Sequence, residues 1–318
     1  MTVVSCSFVV RAFNEENHIG RLFTGINQQR WKDIEVILVD SGSSDATIEI
    51  VSSNDWPFPV RVLEIEPESF SFGRSLNLGI KEAQGDIIVI ASAHVCPVYP
   101  DWLERLITPF EDSQVGLTYG KQRGNTATHF SEHQIFARWF PDGSKTQESN
   151  PFCNNANAAI RKNLWMEHQY DETLSGLEDL EWAHWAIEQG YQVSYVAEAE
   201  IIHVHEDTPR GIYNRYRREA MAFMRIFPQE TFNFRDFVRL FFRNAVSDSF
   251  VALRENQFLS EIANIIWFRL MQFWGTYQGY RQSGPLTWEL RQIFYYPSGT
   301  QGKPKIQSRD VKPIQYNE

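Results

Sequence analysis

The sequence predicts an α/β domain with a mainly parallel sheet, followed by a helical extension. Two observations carry this. Over residues 5–91, short apolar runs alternate with stretches whose apolar residues recur every three or four positions, the strand–helix–strand order of right-handed crossover units. Beyond Glu206 the strand signals stop, and long aromatic, arginine-bearing helical stretches take over. The 318 residues are enough for one large domain or two ordinary ones. The change of character places a boundary near residue 210, giving an α/β domain over 1–210 and a helical extension over 211–318.

Ser5 to Val10 reads as a buried strand, and Ile19, Leu22, Phe23 and Ile26 mark the helix after it by their spacing. Glu35 to Val39 is a second strand; Ile48, Ile50 and Val51 continue as a helix that Ser44 or Asp45 is placed to cap. Val60 to Ile65 is a third strand, Gly73 to Ala83 a helix and Ile87 to Ala91 a fourth strand. Pro100 to Phe110 is a helix and Val115 to Lys121 a further strand. Gly124 to Ser149 is polar and aromatic with poor periodicity, and reads as a long, partly mobile loop of the kind that often serves function. Glu178 opens an amphipathic run carrying Trp182, Trp185 and Ala186, which Gly190 stops; Val193 to Val196 is a strand, followed by His203-Val204-His205. Helices are expected around Tyr213 to Met224, Phe234 to Phe242 and Phe258 to Tyr280, and a disordered tail over the last fifteen or so residues.

Composition narrows the setting. Residues 1–210 hold 15 Lys and Arg against 31 Asp and Glu, a balance of −16, which argues against nucleic acid as a partner there. Residues 211–318 hold 15 against 9, a balance of +6, with Arg interleaved among Phe, Trp and Tyr. Such side chains suit helices that face an anionic membrane surface. Cys6, Cys96 and Cys153 show no paired spacing, which fits a reducing, cytoplasmic setting. The N-terminus does not look like a signal peptide, and no apolar run is long enough to predict a spanning helix. A cytoplasmic protein, peripheral at the inner face of the membrane, is the expectation.

In open sheets of this kind ligands sit beyond the carboxyl ends of the strands. Polar loops stand at three such ends: Phe13-Asn14-Glu15, Asp40-Ser41-Gly42-Ser43-Ser44-Asp45 and Ser92-Ala93-His94. Neither GxGxxG nor GxxxxGK[ST] occurs, which disfavours a dinucleotide-binding domain and a P-loop NTPase. Glu178 and Asp179 share a first helical turn, where the helix dipole favours the ionised form that a general base requires.

Together these stretches resemble glycosyltransferase family 2, with the GT-A fold, over roughly residues 3–225. Arg11 to Glu16 looks like the family's opening motif and Val39 to Asp45 like its VDxGSxD motif. Phe72 to Gly79 resembles the G-x-x-x-N-x-G helix, Gly85 to Ile90 the GDII strand, Gly176 to Ala183 the "ED" helix, and His203-Val204-His205 the HxH ending. The variant looks closest to the bacterial rhamnosyltransferase-like branch that builds surface polysaccharides. The resemblance implies an inverting enzyme moving a sugar from a nucleotide-diphosphate donor to a hydroxyl of a saccharide or lipid-linked acceptor. Asp179, or failing it Glu178, is the implied base. Phe13, Glu15, Asp40, Ser43, Asp45, Arg74, Ser92 and His94 are the implied nucleotide-sugar contacts, with Phe13 stacking on the base and Glu15 taking a ribose hydroxyl.

One departure stands out. Most of the family carries Asp-x-Asp where this chain has Ser92-Ala93-His94. A divalent metal, Mn²⁺ or Mg²⁺, is still expected, held by His94 and one of His203 or His205; imidazole suits Mn²⁺ or Zn²⁺ better than Mg²⁺. Arg74 or the basic region after His205 can also neutralise the diphosphate. Two other readings remain: a catalytically silent sugar-nucleotide-binding module, supported by the degenerate Ser92-Ala93-His94, and a nucleotidyltransferase, whose Gly-rich basic loop Phe13-Asn14-Glu15-Glu16 does not match.

Overall fold

The computed structural model describes residues 5–147, 151–204, 208–282 and 314–315. Strands β1 (Cys6–Ala12), β2 (Ile34–Asp40), β3 (Val60–Glu64) and β4 (Ile87–Ser92) alternate with helices α1 (Ile19–Asn27), α2 (Thr47–Ser52) and α3 (Phe72–Glu82). There follow β5 (Val95–Pro97), α4 (Trp102–Ile107), β6 (Val115–Arg123), α5 (Phe130–Trp139), β7 (Lys145–Gln147), β8 (Asn157–Arg161), α6 (Lys162–Glu167), α7 (Glu178–Glu188) and β9 (Gln192–His203). Three long helices end the described chain: α8 (Pro209–Ile226), α9 (Phe234–Arg254) and α10 (Phe258–Arg281).

The sheet runs β3-β2-β1-β4-β8-β6-β9-β5, with β7 also on β9. The first four strands are parallel, as the crossover pattern predicts, while β8 lies antiparallel between β4 and β6. Both faces are covered. In β1, Phe8 and Val10 pack with Leu22 and Phe23 of α1 and Trp102 of α4; Val9, pointing the other way, packs with Leu76 and Ile80 of α3 and Trp182 of α7. Helix α3 lies close because Gly79 meets the sheet: a Cβ there would sit 2.5 Å from a Val9 methyl.

Two expectations change. The stretch read as a long loop contains α5 and β7. Helix α5 buries polar Ser131 and Glu132 beside Phe130 and Phe136, so its inward stripe carries no apolar period. Those groups are satisfied from other helices: Ser131 Oγ donates to Asp248 at 2.7 Å and Arg215 pairs with Glu132 at 2.7 Å. The late strand also runs much further than Val193 to Val196. Its second half alternates Glu198 and Glu200 with buried Ala199 and Ile201, so His203 ends the strand rather than following it.

Helices α8 and α10 touch backbone to backbone, since a Cβ on Gly275 or Gly279 would lie 2.4 or 2.5 Å from the carbonyl oxygens of Tyr213 and Arg217. Asn233 begins α9 with a capping box, exchanging hydrogen bonds with Asp236. Arg269 of α10 binds Asp248 of α9 through two nitrogens, at 2.7 and 3.0 Å, with both side chains buried. Most of the tail expected to be disordered lies outside the described residues; within it, the Ile314 N–H donates to the Val98 carbonyl at 3.3 Å. No described helix is long and apolar enough to cross a membrane.

Candidate active site

Sheet register brings the candidate loops together. Arg11 lies beside Val39 on one side and Ser92 on the other, and Ala12 beside Asp40, so the carboxyl ends of β2, β1 and β4 form one edge. The first two loops are stitched by hydrogen bonds. Asn14, in the left-handed region at φ 53°, donates its N–H to Ser43 Oγ at 2.9 Å and accepts the Ser44 N–H on Oδ1 at 2.8 Å. Thr47 Oγ1 accepts the Glu15 N–H at 2.7 Å. Asp40 is buried and accepts the N–H groups of Gly42 and Ser43 at 2.9 and 2.8 Å and the Ser43 hydroxyl at 2.5 Å. That turn needs φ 88° at residue 42, which glycine supplies at no steric cost. Burial pushes the Asp45 carboxyl up, but hydrogen bonds from Thr47 and the Glu16 backbone outweigh it and hold the group below the usual carboxylate range. A hollow of about 170 Å³ lies against Asp40, Ser43, Ile48 and the segment 64–67. Phe13 is half-buried on the same loop edge.

Beside it opens a larger cavity of about 290 Å³. Its floor is the start of α7. Leu177, just before the helix, sits at φ 58°, a left-handed conformation that a branched residue adopts only when its surroundings enforce it. Glu178 is buried and paired with Arg11 at 3.0 Å. Asp179 Oδ2 accepts the Asn155 N–H at 3.0 Å and Oδ1 accepts the Leu180 N–H at 2.8 Å, while Cys153 Sγ donates to the Asp179 carbonyl at 3.1 Å. Burial first, and the Glu178 charge second, lift the Asp179 carboxyl to about 7. The helix-dipole argument points the other way; here desolvation and a neighbouring anion win over the dipole and two backbone donors. The outcome is a carboxylate of unusual basicity facing a cavity, as proton abstraction near neutral pH requires.

Ser92, His94 and His203 line the cavity. His94 Nδ1 bonds Glu15 Oε1 at 2.7 Å, which places Glu15 at the cavity's edge. Two of the expected metal ligands, His94 and His203, stand side by side at this cavity. The His94 and His203 ring centroids lie 5.1 Å apart with their planes at 18°. His203 Nδ1 is engaged by Gln122 at 2.8 Å. His205 lies outside the described residues. Among the described residues no three His, Cys, Asp or Glu side chains gather as a metal site. Arg74 is placed elsewhere, paired with Glu172 at 2.7 Å and bonded to the Ser69 carbonyl, and is absent from the cavity lining.

Arginines of α8 stand where Arg74 was expected. Asn214, Arg215 and Arg218 form one helical stripe along the cavity, which Arg11 also lines. Arg11 and Arg218 both lie over the Phe72 ring, at 4.6 and 4.9 Å from its centroid. The boundary expected at 210 therefore falls at the start of a helix that walls the site. The sequence offers Arg74 or the basic region after His205 to neutralise the diphosphate; of these, Arg215 and Arg218 of the basic region line the cavity. Asn154 and Asn155, which precede β8 and line the cavity, were not singled out in the sequence.

Comparison with known proteins agrees with this fold. The family model described as "Glycosyl transferase family 2" matches residues 7–171, and the chain belongs to that family. It is 26% identical over 223 residues to the O-antigen chain rhamnosyltransferase RfbN of Salmonella typhimurium, covering 66% of this chain and 69% of that one. It is 27% identical over 215 residues to the O-antigen chain rhamnosyltransferase WbaN of Salmonella anatum, covering 61% and 64%. Among solved structures it resembles the mannosyltransferase PcManGT of Pyrobaculum calidifontis, in complex with GDP-Man and Mn²⁺. The TM-score is 0.59 with 20% identity, over 87% of this chain and 84% of that one. Residues 1–349 of TarS of S. aureus, in complex with UDP, superpose with a TM-score of 0.54 and 16% identity, over 97% and 98%. The fold is the GT-A fold, and the chain is a glycosyltransferase similar to bacterial rhamnosyltransferases.

Proposed function

We propose that the protein is an inverting glycosyltransferase that moves a sugar from a nucleotide-diphosphate donor to a hydroxyl of a saccharide or lipid-linked acceptor in bacterial surface polysaccharide synthesis. The observation that carries this is the Asp179 carboxyl, raised toward neutrality at the floor of a cavity beside the nucleotide edge of the sheet. Asp179 takes the acceptor's hydroxyl proton as the oxygen attacks the anomeric carbon. The bond from that carbon to the diphosphate oxygen breaks on the opposite side, and the nucleoside diphosphate leaves with the bonding pair. The nucleobase occupies the hollow beside Asp40, with Phe13 on its edge, and Glu15 meets the ribose. The experiment is a panel of nucleotide sugars read first by thermal shift and then by release of nucleoside diphosphate with acceptor. A cognate donor at 100 times its dissociation constant adds about 2.7 kcal/mol of apparent stability. Binding without turnover of any donor, by transfer or hydrolysis, would leave the silent sugar-nucleotide module as the better account.

Asp40→Ala is expected to weaken donor binding, read by calorimetry, more than it slows the bound complex. Its carboxylate both borders the hollow and holds the turn through three hydrogen bonds. An unchanged dissociation constant reduces Asp40 to a turn residue.

The acceptor reading brings the chain to a membrane surface, and α9 supplies a face for it. Phe242, Val246, Phe250 and Leu253 recur at helical spacing, each more than half exposed. Arg235, Arg239, Arg243 and Arg254 are exposed on the same side. A second copy placed face to face would set arginine against arginine, whereas anionic headgroups complement the pattern. Sedimentation with phosphatidylglycerol vesicles, and not with phosphatidylcholine vesicles, is the expected result. Equal partition to both, or to neither, rejects the electrostatic surface.

A further inference from the structure

From the same cavity we infer that the donor's diphosphate is held by arginines of α8 and β1, and that no divalent cation is needed to hold it. This rests on the glycosyl-transfer reading above for the identity of the ligand, and on the geometry of the cavity for the rest. The position that carries Asp-x-Asp in most of the family is Ser92-Ala93-His94, which offers no carboxylate, and its one ionisable group, His94, bonds Glu15 through Nδ1 at 2.7 Å. His94 and His203 both line the cavity, each engaged through Nδ1, with Glu15 and with Gln122, so they offer a cation two ring nitrogens at most. A hard cation such as Mg²⁺ needs oxygen ligands in octahedral array, and among the described residues no three His, Cys, Asp or Glu side chains are placed to hold a metal ion.

The opposite wall supplies what a diphosphate needs. Arg215 and Arg218 belong to one stripe of α8, and Arg11 joins them at the cavity from the end of β1. Each is oriented from behind or beside: Glu132, buried, holds Arg215 at 2.7 Å; Phe72 lies against both Arg11 and Arg218; and Glu178 holds Arg11 at 3.0 Å. Guanidinium groups present fixed forks of N–H donors that match phosphate oxygens, and orientation before binding lowers the cost of ordering them. Cations fixed where the leaving diphosphate gathers charge stabilise the transition state as well as the bound donor. A diphosphate between α8 and β1 also sets the anomeric carbon near Asp179, which lines the same cavity.

The test is calorimetry with UDP, GDP and dTDP on the full chain, each in EDTA and in Mn²⁺. The best binder is expected to show dissociation constants within about twofold of each other in the two conditions. Arg218→Met is expected to weaken that binding about tenfold or more, about 1.4 kcal/mol, and Arg218→Lys to recover part of it. Both variants keep the parent's circular dichroism and melting cooperativity, since the Arg218 side chain lies at the cavity wall and its stem can still cover Phe72. Binding that tightens tenfold or more with Mn²⁺, or that ignores Arg218→Met, overturns the arginine site while leaving glycosyl transfer standing. Failure of every nucleoside diphosphate to bind in either condition overturns both.

Discussion

Asp179→Asn is expected to lower sugar transfer by about 10²- to 10⁴-fold, the usual cost of losing a positioned base, while nucleoside diphosphate binding stays near that of the parent. The amide keeps the shape and can still accept the Asn155 N–H, so the fold survives. Two pH signatures separate this from structural damage. The parent's rate should rise with pH through an apparent pKa of about 7, the value to which burial and Glu178 bring the carboxyl, and then level off. Stability should move the other way. A carboxyl that titrates near 7 when folded and near 4 when unfolded imposes no penalty below about pH 4. Between those values the folded state binds more protons, so stability falls as pH rises, and above about 7 the penalty is complete. Asp179→Asn removes that penalty. At pH 8 the variant should melt no lower than the parent, although it is nearly inactive. Turnover within threefold of the parent would pass the role of base to Glu178, whose carboxylate is now committed to Arg11.

Asp248→Ala should be the most destabilising single change outside the sheet. Asp248 and Arg269 are both 2% exposed and joined by two hydrogen bonds, and Ser131 of α5 donates to the same carboxylate. Removing one partner strands a guanidinium in the interior, which typically costs about 3–5 kcal/mol. Replacing both, as in Asp248→Leu with Arg269→Met, should return much of that, because the pair's own desolvation cost disappears with it. Chemical denaturation of the parent and the two variants reads the difference directly. The damage should reach the cavity too: α5 carries Glu132, which orients Arg215, so the single variant should also bind nucleoside diphosphate more weakly. A loss below about 1 kcal/mol would mean the network is more open to water than its burial indicates.

Much of the parallel half of the fold was legible because its strands are buried on both faces and its helices carry clean apolar stripes. Val36 to Val39 and Ile87 to Ala91 read as continuous apolar runs for that reason. Helix α5 was not legible, because its buried stripe includes Ser131 and Glu132, and burial of a polar side chain is decided by partners far away in sequence. Strand β8, five residues long, has too short a run to show a period. At the site, the positions fixed by backbone turns were easiest to see. Asp40, Ser43 and Asp45 show their turn chemistry in sequence and spend much of it on holding the loops. The cations were harder. Arg74 sits inside a recognisable motif but meets Glu172, whereas Arg215 and Arg218 reach the cavity only because α8 forms part of its wall. Only the face of α8 that lines the cavity distinguishes those two arginines from their neighbours Arg217 and Arg225.

The central claim is a single displacement at the anomeric carbon with Asp179 as base. Once the panel has identified a donor, ¹H NMR of the first product formed, recorded before any spontaneous equilibration, reads the configuration of the new linkage. The account predicts a configuration opposite to that of the donor; a product with the donor's own configuration would contradict it.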